Sequence, residues 1–115
     1  MYFATFNCCG FTDDKVLYLK HLLSNLHVLY LQELWLIDDH RSKLNDAFTD
    51  CYVFSISGVL DTSQLIGRPY GGCAIIIKKN LKCKITHVKT VSNRIVCVLL
   101  EMSDITIMLT SIYAL

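Results

Sequence analysis

Charge is what this sequence has least of. Only 18% of its 115 residues are charged, and they balance to a net charge of +1. The chain therefore carries no broad electrostatic footprint for a polyanion. A local basic cluster remains at Lys78-Lys79, Lys82 and Lys84, which also fits the solvated end of a strand and its turn. Long apolar runs are missing too. A membrane span needs about 20 consecutive apolar residues. The stretch from Ile105 to Leu115 is broken by Thr106, Thr110 and Ser111, and Ile95 to Leu100 stops at Glu101. No basic segment precedes an apolar run at the N-terminus, which excludes a secretory signal in these residues. The expectation is a protein that is not secreted, intracellular in nucleus or cytoplasm, with no membrane partner. Zinc-type spacing is also absent: Cys8 and Cys9 are adjacent, and Cys51, Cys73, Cys83 and Cys97 stand far apart. They read as reduced, structural thiols, small hydrophobes in apolar runs. There is one proline, and there are no repeats.

What is present is apolar. Hydrophobic residues make up 53% of the chain and the mean hydropathy is +0.42. A small domain has much surface for its volume and needs polar residues to cover it. A sequence this apolar points to a membrane protein, an obligate complex, or a piece of a larger core, and the first has just been set aside.

Tyr2 to Cys8 reads as a strand ending at Gly10. Thr12-Asp13-Asp14 offers a cap and early negative charge. Val16, Leu19, Leu22, Leu23 and Leu26 follow at helical spacing. His27 to Gln32 is a second strand, so the opening forms a βαβ unit with its two strands parallel neighbours. Ser42 to Phe48 predicts a short helix and Cys51 to Ile56 a strand. Ser57 to Gly72 holds four of the five glycines and the proline, a loop long enough to be functional. Four more strands are expected: Cys73 to Lys78, Lys82 to Val88, Arg94 to Glu101, and Ile105 to Tyr113. Several of them are apolar on both faces, as in strands covered from both sides. The helices cover one face of a sheet, which predicts that the other face meets a layer from elsewhere.

Glu33 is the acidic residue of interest. It ends the second strand within Leu29-Tyr30-Leu31-Gln32-Glu33-Leu34-Trp35-Leu36. A carboxylate leaving an apolar strand is costly to bury without a partner, and strand C-terminal ends are where open α/β sheets bind ligands. Asn7 ends the first strand and would lie beside it. An amide next to a carboxylate offers hard oxygen donors of the kind magnesium takes. On spacing alone the pair also fits an asparagine that turns the chain and a glutamate facing water.

These segments, together with Gly67-Arg68-Pro69-Tyr70-Gly71-Gly72-Cys73-Ala74-Ile75, Asn93-Arg94-Ile95 and Thr110-Ser111-Ile112-Tyr113-Ala114, resemble the endonuclease/exonuclease/phosphatase superfamily. The likeness is strongest to the apurinic-type endonuclease domains of non-LTR retrotransposons. It runs along the whole chain and implies the N-terminal half of a four-layer α/β sandwich, one mixed sheet with helices on one face. Residues 1–115 would then be a partial domain, its second half missing. The resemblance implies phosphodiester hydrolysis with Mg2+ (or Mn2+), an endonuclease acting on DNA or another phosphodiester. Glu33 and Asn7 would serve the metal and Tyr113 the phosphate. Arg68 and Tyr70 would face the substrate. Where the family has proline after this tyrosine motif, the chain has Leu115.

The superfamily's late Asp-x-Asn strand end and its Asp-His pair have no counterpart here. Asp38-Asp39-His40 lies too early in the order to supply them. The resemblance therefore also admits a catalytically inactive remnant or binding module, or a phosphatase of the same superfamily. By itself the chain is expected to be inactive, and to need the other half or a partner chain over its exposed sheet.

Overall fold

A computed structural model describes residues 1–59, 65 and 67–113. The elements follow the expected order. Strand β1 (Phe3–Asn7) leads through helix α1 (Asp13–Leu23) to β2 (Val28–Gln32). A 3-10 turn at Asp38–His40 and helix α2 (Ser42–Ala47) precede β3 (Cys51–Ile56). Then come β4 (Cys73–Lys78), β5 (Lys84–Val88), β6 (Ile95–Glu101) and β7 (Thr106–Ile112). Of the long glycine-rich loop, residues 60–64 and 66 lie outside the described residues, as do 114–115.

β1 and β2 are parallel neighbours joined by a crossover through α1, with Asn7 opposite Gln32. β4 runs antiparallel between β2 and β3, completing a four-stranded mixed sheet in the order β1-β2-β4-β3. Both helices lie on one face of it. Leu19 and Leu23 of α1, with Leu44 and Phe48 at α2, pack there on Leu29, Leu31, Ala74 and Ile76.

The expected α/β class and one-sided helices are therefore observed, but the strands do not form one sheet. β5, β6 and β7 make a separate antiparallel meander. It lies on the other face of the first sheet, where Val96, Val98, Leu100 and Leu109 meet Val28, Cys73, Ile75 and Ile77. The layer expected from elsewhere is thus supplied by the chain itself. Counting only helices as cover missed that one sheet can bury another, about 10 Å away. Ile75, Ile76 and Ile77 are fully buried as a result, because consecutive residues of β4 face the two cores alternately. Among the described residues, it is the outer face of the meander that has no layer over it, with Met108 61% and Ile112 55% exposed.

All six cysteines are free thiols, four of them buried. Burial pushes the thiols of Cys8 and Cys51 up to about 12 and that of Cys73 up to about 11. They stay protonated, as hydrophobes should. No helix among the described residues is long and apolar enough to cross a membrane.

Candidate active site

The C-terminal ends of β1 and β2 lie at the same edge of the mixed sheet, where β3 ends and β4 begins. Four chain segments therefore meet there, and the end of β7 joins them from the second sheet.

Leaving β2, the backbone turns sharply. Glu33 and Trp35 both adopt φ +55°, a left-handed conformation uncommon for side-chain-bearing residues and worth a functional question. Hydrogen bonds hold it from two sides. Gly10 N–H donates to the Glu33 carbonyl at 2.8 Å and Phe11 N–H to that of Leu34 at 2.7 Å. From the other side, Leu34 N–H reaches the Gly72 carbonyl at 3.3 Å and Trp35 N–H that of Gly71 at 3.0 Å. Leu34 is buried in the helix-side core, which anchors the turn between the two unusual residues. The half-buried Glu33 carboxylate accepts the Trp35 indole N–H at its Oε2, 2.5 Å away.

Asn7 sits on the neighbouring strand, opposite Gln32. Its Oδ1 accepts the Cys9 N–H at 3.1 Å and the Cys9 thiol at 3.3 Å. It thus turns the chain out of β1, one of the two roles its position allowed, with both lone pairs of its carbonyl oxygen engaged, one of them by the weak thiol donor. The Lys15 ammonium closes this turn from α1, donating to the carbonyls of Cys8, Cys9 (3.4 Å) and Gly10 (2.7 Å).

The glycine-rich loop comes back over the Glu33 turn. The Arg68 guanidinium lies 5.4 Å from the Trp35 ring centroid, and Tyr70 meets the same ring edge-on at 5.1 Å. A tight turn across Pro69, from Tyr70 N–H to the Arg68 carbonyl at 2.9 Å, sets the two side chains. Tyr113 follows β7, its N–H bonded to the Arg94 carbonyl at 2.8 Å. Its ring lies against Gly71, so that a Cβ there would stand 3.1 Å from Cε1. Asn93 ties the second sheet to this edge by donating to the Gly58 carbonyl at 3.2 Å. Inside the sandwich, Gln32 donates to Ser111 Oγ at 3.3 Å while Ser111 donates to the Leu31 carbonyl at 3.2 Å.

The five residues singled out from the sequence are thus gathered at one edge, Glu33, Arg68, Tyr70 and Tyr113 through Trp35 and Gly71, and Asn7 through its strand pairing. Sequence reasoning missed Trp35 as a participant, although it lies within the motif quoted for Glu33, and Lys15, for which spacing offers no signal. Asp38, by contrast, is taken up by Arg41 at 2.8 Å, and Arg41 also bonds the Ser55 carbonyl at 2.9 Å. That acidic run is structural. The histidine contacts lie elsewhere as well: His27 stacks on Tyr2 and His87 lies against Phe54.

No family model matches the sequence, and no curated protein matches it. Among solved structures, the endonuclease domain of TRAS1, a telomere-specific non-LTR retrotransposon, superposes with a TM-score of 0.64 at 16% identity. The match covers 97% of this chain. The fold resembles that of part of this endonuclease domain. The chain spans 45% of that solved chain.

As a cation site the edge offers hard oxygen donors, the Glu33 carboxylate and the Asn7 amide, whose oxygen would exchange the weak Cys9 thiol bond for the cation. Among the described residues no three His, Cys, Asp or Glu side chains gather around one point. Magnesium keeps most of its waters and takes only one or two carboxylates besides substrate phosphate. The donors present fit that pattern.

Proposed function

We propose that the chain carries the metal- and phosphate-binding part of a Mg2+- (or Mn2+-) dependent endonuclease site that acts on DNA. The observation that carries this reading is the convergence of Asn7, Glu33, Arg68, Tyr70 and Tyr113, from segments far apart in sequence, at one sheet edge of an endonuclease-like fold.

Glu33 would hold the cation through the carboxylate oxygen that Trp35 leaves free, with the Asn7 amide beside it. Bound there, the cation supplies Lewis-acid polarisation of the phosphate. The Tyr113 hydroxyl would donate a hydrogen bond to a phosphate oxygen as negative charge develops, the usual work of an oxyanion donor. Arg68 offers a planar fork that matches a flanking phosphate. Tyr70, 55% exposed, presents a ring on which a nucleobase can rest. A general base for the attacking water has no candidate in this group, and its absence costs about 10²–10⁴-fold. We assign that base to the remainder of a complete domain or to a partner chain, seated over the outer face of the meander.

A second reading, a binding module without catalysis, is favoured by the single carboxylate that the described residues bring to the edge. Supercoiled plasmid, Mg2+ and the purified chain separate the two. Mg2+-dependent DNA binding with little nicking, weakened by Glu33→Ala, is expected of the chain alone. Robust nicking lost in Glu33→Ala would make the chain a complete enzyme and remove the need for a second part. Binding and nicking that are both absent, or both indifferent to Glu33→Ala, would overturn the metal-site reading.

A further inference from the structure

We infer that Trp35 is a positioning residue that fixes the Glu33 carboxylate for a divalent cation; this rests on the metal reading above. An indole is a donor only. It can hold one carboxylate oxygen without becoming a ligand, so its 2.5 Å bond to Oε2 orients the group and leaves Oε1 for the cation. The backbone is bent for this contact. Left-handed φ at both Glu33 and Trp35 brings two side chains on either side of the buried Leu34 together, and residues held in such conformations mark sites that the surroundings over-determine.

The ring is itself held in place. Gly10 lies so close that a Cβ there would stand 2.9 Å from the indole Cε3. Tyr70 and Arg68 bear on the same ring. The indole therefore cannot swing away from Glu33 without displacing both the β1–α1 turn and the Arg68–Tyr70 loop. The carboxylate that takes the cation and the loop that meets substrate share one rigid support.

Trp35 is the only tryptophan in the chain, so its emission reports on the surroundings of this one ring. Mg2+ is titrated into the 115-residue protein while tryptophan fluorescence and calorimetric heat are recorded. A saturable emission change is expected, absent in Glu33→Gln. Trp35→Phe keeps a ring over Gly10 but lacks the N–H, and should weaken Mg2+ binding about 10- to 100-fold, as loss of an outer partner of a metal ligand does. Its far-UV spectrum should stay unchanged. If the native protein binds Mg2+ with no change in emission, and Trp35→Phe binds equally well, the positioning role is wrong and the metal reading survives. If calorimetry shows no Mg2+ binding to the native protein, the metal reading itself fails and this inference falls with it. Should Trp35→Phe not fold, the emission titration of the native protein against Glu33→Gln decides alone.

Discussion

Three glycines at the site edge separate two costs that substitution usually mixes. Gly67 has φ +80°, and no atom of the described residues lies within 4 Å of where its Cβ would stand. Gly67→Ala should therefore lose only the left-handed backbone preference, about 1–2 kcal/mol. Gly58 shows no such φ, but a Cβ there would stand 2.5 Å from the Tyr70 carbonyl oxygen and 3.0 Å from Gly71 Cα. Backbone cannot yield as a side-chain tip can, so Gly58→Ala should cost about 1–3 kcal/mol through overpacking alone. Gly71 carries both burdens, φ +87° and the Tyr113 ring at 3.1 Å. About 3.5 kcal/mol is expected for Gly71→Ala, taking mid-values of the two effects. Urea unfolding reads these directly. With a slope of about 1.5 kcal/mol per molar, the Gly71→Ala midpoint should fall by about 2 M and that of Gly67→Ala by about 1 M. Equal shifts for Gly67→Ala and Gly71→Ala would refute the packing of Tyr113 on Gly71. A Gly58→Ala protein as stable as the parent would refute the close approach of the β3 end to the Tyr70–Gly72 backbone.

Alkali should unfold the protein through its thiols. Folded pKa values of about 12 for Cys8 and Cys51 and about 11 for Cys73 lie above the ordinary 9.0. Above pH 9 the unfolded chain holds fewer protons than the native one, so stability is complete below pH 9 and declines as pH rises toward 11–12; melting temperature against pH checks this, and a flat profile from 9 to 11 contradicts it. At neutral pH an aromatic disulfide reagent should modify the exposed Cys9 first and leave Cys8, Cys51 and Cys73 until denaturant is added. Lys15→Met should cost about 1–3 kcal/mol in urea unfolding, the penalty for carbonyls that lose a charged donor. Met108→Lys and Ile112→Lys, on the open face of the meander, should change stability by no more than about 0.5 kcal/mol. The pair should also reduce any concentration-dependent association seen by sedimentation.

Secondary structure was almost entirely legible because each segment carries its own period. Val16, Leu19 and Leu23 repeat at helical spacing. Cys51 to Ile56 and Cys73 to Lys78 coincide with β3 and β4 to the residue. Pairing was legible only where a crossover forces it, as with β1 and β2. The division into two sheets was hidden, because apolar residues on both faces of β4 and β6 say that each strand is covered and not by what. The candidate site residues were chosen through a motif order that no periodicity explains. Trp35 escaped because its part depends on φ +55° at two positions, a conformation that sequence does not announce for glutamate or tryptophan. Lys15 escaped because a lysine one turn into a helix is ordinarily solvated, and only the folded turn shows three carbonyls converging on it.

The two-sheet architecture also decides what holds the site together. Glu33 belongs to the mixed sheet and Tyr113 to the meander, so their separation is set by how one sheet registers on the other. Side-chain periodicity in a strand is two, and a one-residue slip of β7 against β6 would carry Leu109 and Ser111 out of the sandwich and Met108 and Thr110 in. It would also break the Ser111 bonds to Gln32 and the Leu31 carbonyl. The slip would put the Leu109 side chain, now 4% exposed, into water and the Thr110 hydroxyl into the apolar interior, and both costs count against that register. The pairing of Gln32 with Ser111 thus has two consequences, one for the fold and one for the site. Gln32 touches the meander from the position next to Glu33, and Ser111 returns the contact from two residues before Tyr113. Removing that contact with Ser111→Ala should loosen the placement of Tyr113 relative to Glu33 while leaving each sheet intact. On the proposed function, DNA binding through both residues should then weaken more than Mg2+ binding at Glu33.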